Sequence, residues 1–324
     1  MKTFNLKILN AMKCYPVIIS LILLALTACE DKPAAPGSGS LVLTGITSAK
    51  GSEMVTIDLD SGYVSTIPVN CHILSSTVYD PNTCGYGYVS CDTLFTLVDT
   101  EDGDIIRSFR LPGLISSAVV DPGNNLLIGT YGEYKYIDDP DSTNGATLPV
   151  YHTYLLTADL KTGEIILDKE FDLGEGVFLC THFFDPVNKL YVLQRADNKL
   201  LLINPVTGTT IKTVDIGKPL INVVFNSDDG HLISLTPASE PGICLIEVYE
   251  PSTGELISSK PVNGIDSYHF CMSGYDPDSK CYLCVTGDNR VLFIDPETGT
   301  IARTIKLDYQ LDDIRFLRKQ AESF

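Results

Sequence analysis

Residues 201–216 read LLINPVTGTTIKTVDI. An apolar run ends at Asn204, a Pro-Val-Thr-Gly turn follows, and an alternating run starts at once. An Asn or Asp at the first turn position accepts hydrogen bonds from backbone amides two residues on, and the glycine supplies the positive φ of a tight turn. Between short runs rich in Val, Ile, Leu and Thr, such a turn joins two antiparallel strands. The phrase occurs six times, with its glycine at Gly62, Gly103, Gly163, Gly208, Gly254 and Gly299. Four residues earlier stand Asp58, Asp99, Asp159, Asn204, Glu250 and Asp295. Successive glycines are 41, 60, 45, 46 and 45 residues apart.

A second phrase is interleaved with the first: VYDPNT at 78–83, VVDPGNN at 119–125, FFDPVNK at 183–189, VFNSDDGH at 224–231 and GYDPDSK at 274–280. Each closes an apolar run with a polar turn. One repeat therefore reads strand A, Asp-Pro turn, strand B, loop, strand C, Thr-Gly turn, strand D. The clearest copy places A at 177–184, B at 189–195, C at 199–204 and D at 209–216. Four short strands in about 45 residues is the layout of a β-propeller blade.

The chain ends set the blade count. Residues 41–69 supply strands B, C and D with no A before them, and LDDIRFLRK at 311–319 reads as an A strand with nothing behind it. Joined, the two remnants make a sixth blade and remove the free edges of an open array. The reading is an all-β, six-bladed propeller of four-stranded blades spanning 41–319 as one domain, closed by pairing of the C-terminal strand with the N-terminal strands. Length alone would allow two domains.

Residues 1–28 have the layout of a secretory signal: Lys2, Lys7 and Lys13, then an apolar stretch too short for a comfortable membrane span. The junction Leu26-Thr27-Ala28-Cys29 resembles the bacterial lipoprotein box. That resemblance implies lipidation, as by palmitate, at Cys29 and a membrane anchor without a span. Residues 29–40, acidic and then rich in Pro, Gly and Ser, read as a flexible tether. The acidic start also resembles the surface-export signal of Bacteroidota lipoproteins. The expected location is the outer membrane, lipid-anchored, with exposure on the cell surface as the sharper reading.

The formal net charge is −18, and the leader's only charges are its three lysines, so the remainder is more acidic still. Such a surface repels phosphate backbones, and nucleic acid is excluded as a partner. Cys281-Tyr-Leu-Cys284 falls on a strand, where residues three apart point to opposite faces, so buried structural thiols are expected rather than a redox pair or a zinc half-site. Cys271 and Cys284, on neighbouring strands, are a candidate disulfide.

The phrases VFNSDDGHLISL and DNKLLLINPVTGTTIKTVDI resemble the YVTN-type and quinoprotein-like propeller repeats. Members that use quinone carry a tryptophan after the Thr-Gly turn and an adjacent cysteine pair. This chain has no Trp and no Cys-Cys, and no cofactor is expected. The family resemblance implies ligands at one end of the central channel, over the D-to-A and B-to-C loops. Polar residues there are His72, Glu175, Asn222, His269, Asp312, Asp313 and Arg315. The 60-residue glycine interval adds an insertion at 131–152, in which Tyr131, Tyr134, Tyr136 and Tyr151 are placed to stack on a flat ligand or pack on a protein. Within it, residues 139–145 resemble a calcium loop but lack its closing Glu and misplace its Gly, so no metal is expected.

Two functions follow. The first is a non-enzymatic scaffold binding a small nutrient or an outer-membrane receptor protein. The alternative is a metal-dependent hydrolase or lactonase, with Glu175, Asn222 and Asp312 converging at the channel mouth. The sequence favours the scaffold.

Overall fold

The computed structural model describes residues 39–318 apart from 48–52, 70–75, 139–146 and 174–176. Its organising unit is the turn read first in the sequence. All six turn glycines have positive φ, from 64° to 80°. Each donates its amide to the carbonyl four residues earlier at 2.8–3.1 Å. The side chains of Asp58, Asp159, Asn204 and Asp295 each accept from two further amides of their turn. At Gly254 a side chain is barred twice, since an added Cβ would also lie 2.5 Å from the Asp215 carbonyl.

These turns join strands C and D of six four-stranded antiparallel sheets. Blade 1 holds β1 (Leu41–Thr47), β2 (Glu53–Asp58) and β3 (Val64–Pro68), and blade 2 holds β4 (Val78–Asp80), β5 (Gly85–Val89), β6 (Leu94–Asp99) and β7 (Ile105–Arg110). Blade 3 holds β8 (Ser116–Asp121), β9 (Leu126–Asp138), β10 (Thr147–Asp159) and β11 (Ile165–Glu170), and blade 4 β12 (Val177–Asp185), β13 (Leu190–Arg195), β14 (Lys199–Asn204) and β15 (Thr209–Asp215). Blade 5 holds β16 (Val224–Phe225), β17 (Leu232–Pro237), β18 (Ile243–Tyr249) and β19 (Leu256–Asn263). Blade 6 holds β20 (Tyr268–Asp276), β21 (Cys281–Thr286), β22 (Arg290–Ile294) and β23 (Ile301–Lys306). The last strand, β24 (Asp312–Arg318), returns to blade 1 and pairs antiparallel with β1, Leu41 opposite Arg318 and Leu43 opposite Phe316. The propeller is therefore six-bladed and closed by its two ends. No helix occurs among the described residues.

The core follows from the two-residue period of a strand, which sends alternate side chains to opposite faces. In β14, Leu201 and Ile203 pack with blade 3 while Leu200 and Leu202 pack with blade 5. Each of the six blade-to-blade interfaces has such an apolar cluster among the described residues. The B and C strands are buried on both faces, whereas the outermost D strands such as β7, β11 and β15 are mostly exposed. Every blade thus depends on two neighbours for its core, and the ring is stable only as a whole.

At the closing seam Leu317 takes the register position that holds Asp or Asn in the other blades, and the A strand runs one residue further, to Arg318. Its guanidinium grips the fully buried Asp276 of blade 6 through two hydrogen bonds, Nε to Oδ1 at 2.9 Å and Nη2 to Oδ2 at 3.0 Å, and reaches Asp278 at 3.0 Å. Planar bidentate pairing is the strongest contact a surface-to-core ion pair offers.

Candidate functional site

Strand A of every blade lines the axis. Between these strands lies a cavity of about 510 Å3, walled by Phe184, Phe225 and Phe316 together with Val78, Val120 and Val223. Tyr79, His182, Ser273 and Arg315 are the polar residues of its lining. Arg315 is held in place by carbonyls: Nε and Nη2 both donate to Thr77 O, at 3.2 and 2.6 Å, and Nη1 to Ile314 O at 2.9 Å. The aromatic wall was legible in part, because Tyr79, Phe184 and Phe225 each stand immediately before the Asp or Asn of the A-to-B turn.

The polar residues expected at the strand starts are distributed as follows. His72, Glu175 and the lipidation site Cys29 lie outside the described residues, as does the calcium-like stretch within 139–146. Asn222 is fully buried, in left-handed backbone with φ of 49°; its side chain donates to His269 O at 3.0 Å. His269 and Asp312 are half-buried. Asp313 has φ of 52°, and burial pushes its carboxyl above the ordinary range, opposed by the Arg315 charge. Among the described residues no group of three His, Cys, Asp or Glu side chains converges to hold a metal ion.

Of the 131–152 insertion, residues 131–138 and 147–152 extend the sheet. β9 and β10 run thirteen residues each in unbroken register, from Asp159 opposite Leu126 to Thr147 opposite Asp138. Its tyrosines divide by parity. Tyr131 turns inward, buried, with its ring stacked 5.0 Å from that of Tyr154 and its hydroxyl donating to Asp168 at 2.7 Å. On the same face Lys135 bonds the Tyr154 hydroxyl, and His152 pairs with Glu170 at 2.7 Å. The other face presents Tyr134, Tyr136 and Tyr151, which are 67%, 71% and 58% exposed. Tyr134 meets Tyr151 edge to face at 5.0 Å. Gly132 makes room for Tyr151, whose hydroxyl would be 1.9 Å from a Cβ there.

The Cys281 and Cys284 thiols point to opposite faces of β21, one into the interface with blade 1 and one into that with blade 5. Burial raises both, Cys284 to about 12, which holds them as unreactive thiols. Cys284 is unbridged, and Ser273 rather than Cys271 stands opposite it, so the expected Cys271–Cys284 disulfide is not made.

No family model matches the sequence, and no curated protein matches it. Solved structures do. The chain is similar to TolB from Acinetobacter baumannii, with a TM-score of 0.58 and 15% identity over 86% of this chain and 66% of the TolB chain. It spans slightly less than two thirds of that protein. It is also similar to the Cps50 (Swd1) β-propeller domain of Myceliophteria thermophila, with a TM-score of 0.53 and 12% identity over 86% of this chain and 89% of that domain. At these identities the likeness is one of fold.

Proposed function

We propose that the protein is an exported, lipid-anchored binding scaffold at the outer membrane, whose blade-3 hairpin engages a neighbouring outer-membrane protein in nutrient capture. The observation that carries the reading is the exposed face of that hairpin. Three tyrosines project from a two-stranded arm, and tyrosine is the side chain that interfaces enrich, since it buries large area while losing little freedom. The anchor rests on the Leu-Thr-Ala-Cys29 junction behind an apolar leader. Surface exposure rests on the acidic residues Glu30 and Asp31 that follow it. The 131–152 insertion supplies area for a partner.

A photo-crosslinking amino acid placed at position 134 or 151 in the native membrane tests this. The same label at Tyr63, an equally exposed tyrosine at 69%, serves as the control. The expected outcome is a discrete protein adduct from 134 and 151 and none from 63. Identical patterns from all three positions would contradict it. Cys29→Ser is expected to abolish palmitate labelling and release the protein from the membrane fraction.

A further inference from the structure

The axial cavity has a composition that the hairpin reading does not use. Its walls set aromatic and aliphatic side chains beside the polar residues Tyr79, His182 and Ser273, and its one lysine or arginine among the described lining residues is Arg315. A guanidinium has five N–H donors. Three hydrogen bonds to carbonyl oxygens account for one on Nε, one on Nη1 and one on Nη2. One N–H therefore remains on each terminal nitrogen, available for charge-assisted hydrogen bonds to a carboxylate. Carbonyl acceptors orient the group without cancelling its charge; the Asp313 carboxyl feels that charge, but no ion pair within 4.0 Å joins the two. Five of the chain's seven arginines, Arg110, Arg195, Arg290, Arg303 and Arg318, have carboxylate partners, and Arg315 alone of the other two lines the axial cavity.

We infer that the central channel is a binding site for a small organic carboxylate with an apolar body, its carboxylate on Arg315 and its hydrocarbon between Phe184, Phe225 and Phe316. The cavity volume of about 510 Å3 lies within the range of small-molecule sites, which are mostly apolar with a few placed polar groups. The alternating pattern of the propeller leaves this space on the axis, where all six A strands meet, so the site needs the closed ring and β24 in particular.

The chain has no tryptophan, so Phe225→Trp gives a single indole emitter on the cavity wall. Titrating that variant with phenylacetate, 4-phenylbutyrate and octanoate, each beside its neutral amide, reads the charge requirement directly. At least one acid is expected to change the indole emission saturably and to bind about tenfold or more tightly than its amide, the increment of a charge-assisted hydrogen bond. Adding Arg315→Gln is expected to erase that preference, while Arg315→Lys, which keeps the charge but loses the guanidinium, retains part of it. Because Arg315 also tethers Thr77, unfolding is monitored for each variant, and the acid-to-amide ratio in the parent decides the question without them. Equal binding of every acid and its amide, or no saturable change with any of them, would overturn the inference. Loss of residues 133–151 leaves the channel intact and is expected to leave the ratio unchanged, which separates this site from the hairpin.

Discussion

Two kinds of blade interface alternate around the ring. Where an even-numbered blade packs on the blade before it, a tyrosine of strand B crosses the interface: Tyr86 donates to Asp313 O at 2.8 Å, Tyr191 to Ser117 O at 2.8 Å and Tyr282 to Asn222 O at 2.7 Å. All three rings are fully buried, and all three acceptors are residues of left-handed backbone, φ 49–52°. Where an odd-numbered blade packs on its predecessor, the same register position holds Leu43, Leu127 or Leu232. The even blades also share tight B-to-C turns with Thr93, Asn198 and Asn289 at φ of 61–65°, while the long blade-3 hairpin belongs to an odd blade. The difference teaches that the repeating unit is two blades rather than one. Three bolted pairs meet at three apolar seams, and one of those seams, between blades 6 and 1, carries the chain closure and its own ionic fastening through Arg318.

The largest effect is expected at that seam. Arg318→Ala leaves the carboxylate of Asp276, only 1% exposed, without its cation and is expected to cost about 3 kcal/mol in denaturant unfolding, the lower end for breaking a buried pair. A loss below about 1 kcal/mol would mean that closure does not depend on the pair. Next come the bolts. Tyr191→Phe and Tyr282→Phe each remove a donor from a buried carbonyl and are expected to cost about 1–3 kcal/mol. Tyr86→Phe is expected to cost less, because Asp313 O also accepts from Thr77 at 3.4 Å. Equal, negligible costs for all three would dissolve the distinction between interfaces.

The smallest effect separates strain from charge within one bolt. Burial raises the Asp313 carboxyl, so the folded state holds its proton more firmly than the unfolded chain. The unfolded chain therefore gives up that proton first, and stability falls as pH rises from the unfolded pKa through the folded one. Asp313→Asn keeps the short side chain that tolerates left-handed backbone and removes the charge. The variant is expected to melt slightly above the wild type at pH 7, with the gap closing as pH falls towards 4. A gap that widened on acidification would reverse the assignment.

Much of the ring was legible because its turns use residues with few alternatives. Asp, Asn or, once, Glu followed by Gly at a fixed offset identified six C-to-D turns, and the unmatched LDDIRFLRK identified the closing strand. The two-blade period left a weaker trace. Tyr86, Tyr191 and Tyr282 recur in alternate blades, but each also fits an ordinary apolar strand position, and Ser117 is not a residue that announces left-handed backbone. Of the candidate site, Arg315 was found from its place at the start of an inner strand, whereas its tether to Thr77 joins residues 238 apart in sequence. The hairpin was read as an excursion because its length broke the repeat. Its alternating YGEYKY pattern was nevertheless that of a strand, and the same alternation buries Tyr131 while exposing Tyr134 and Tyr136.

Hydrogen exchange of the native protein tests ring closure most directly. The amides of β24, residues 312–318, are expected to be as slow as those of β1, residues 41–47, and to open together with them, because each strand supplies the other's hydrogen-bonded edge. Exchange of 312–318 at the rate of an unstructured tail, with 41–47 still protected, would contradict the closed ring and, with it, the axial cavity.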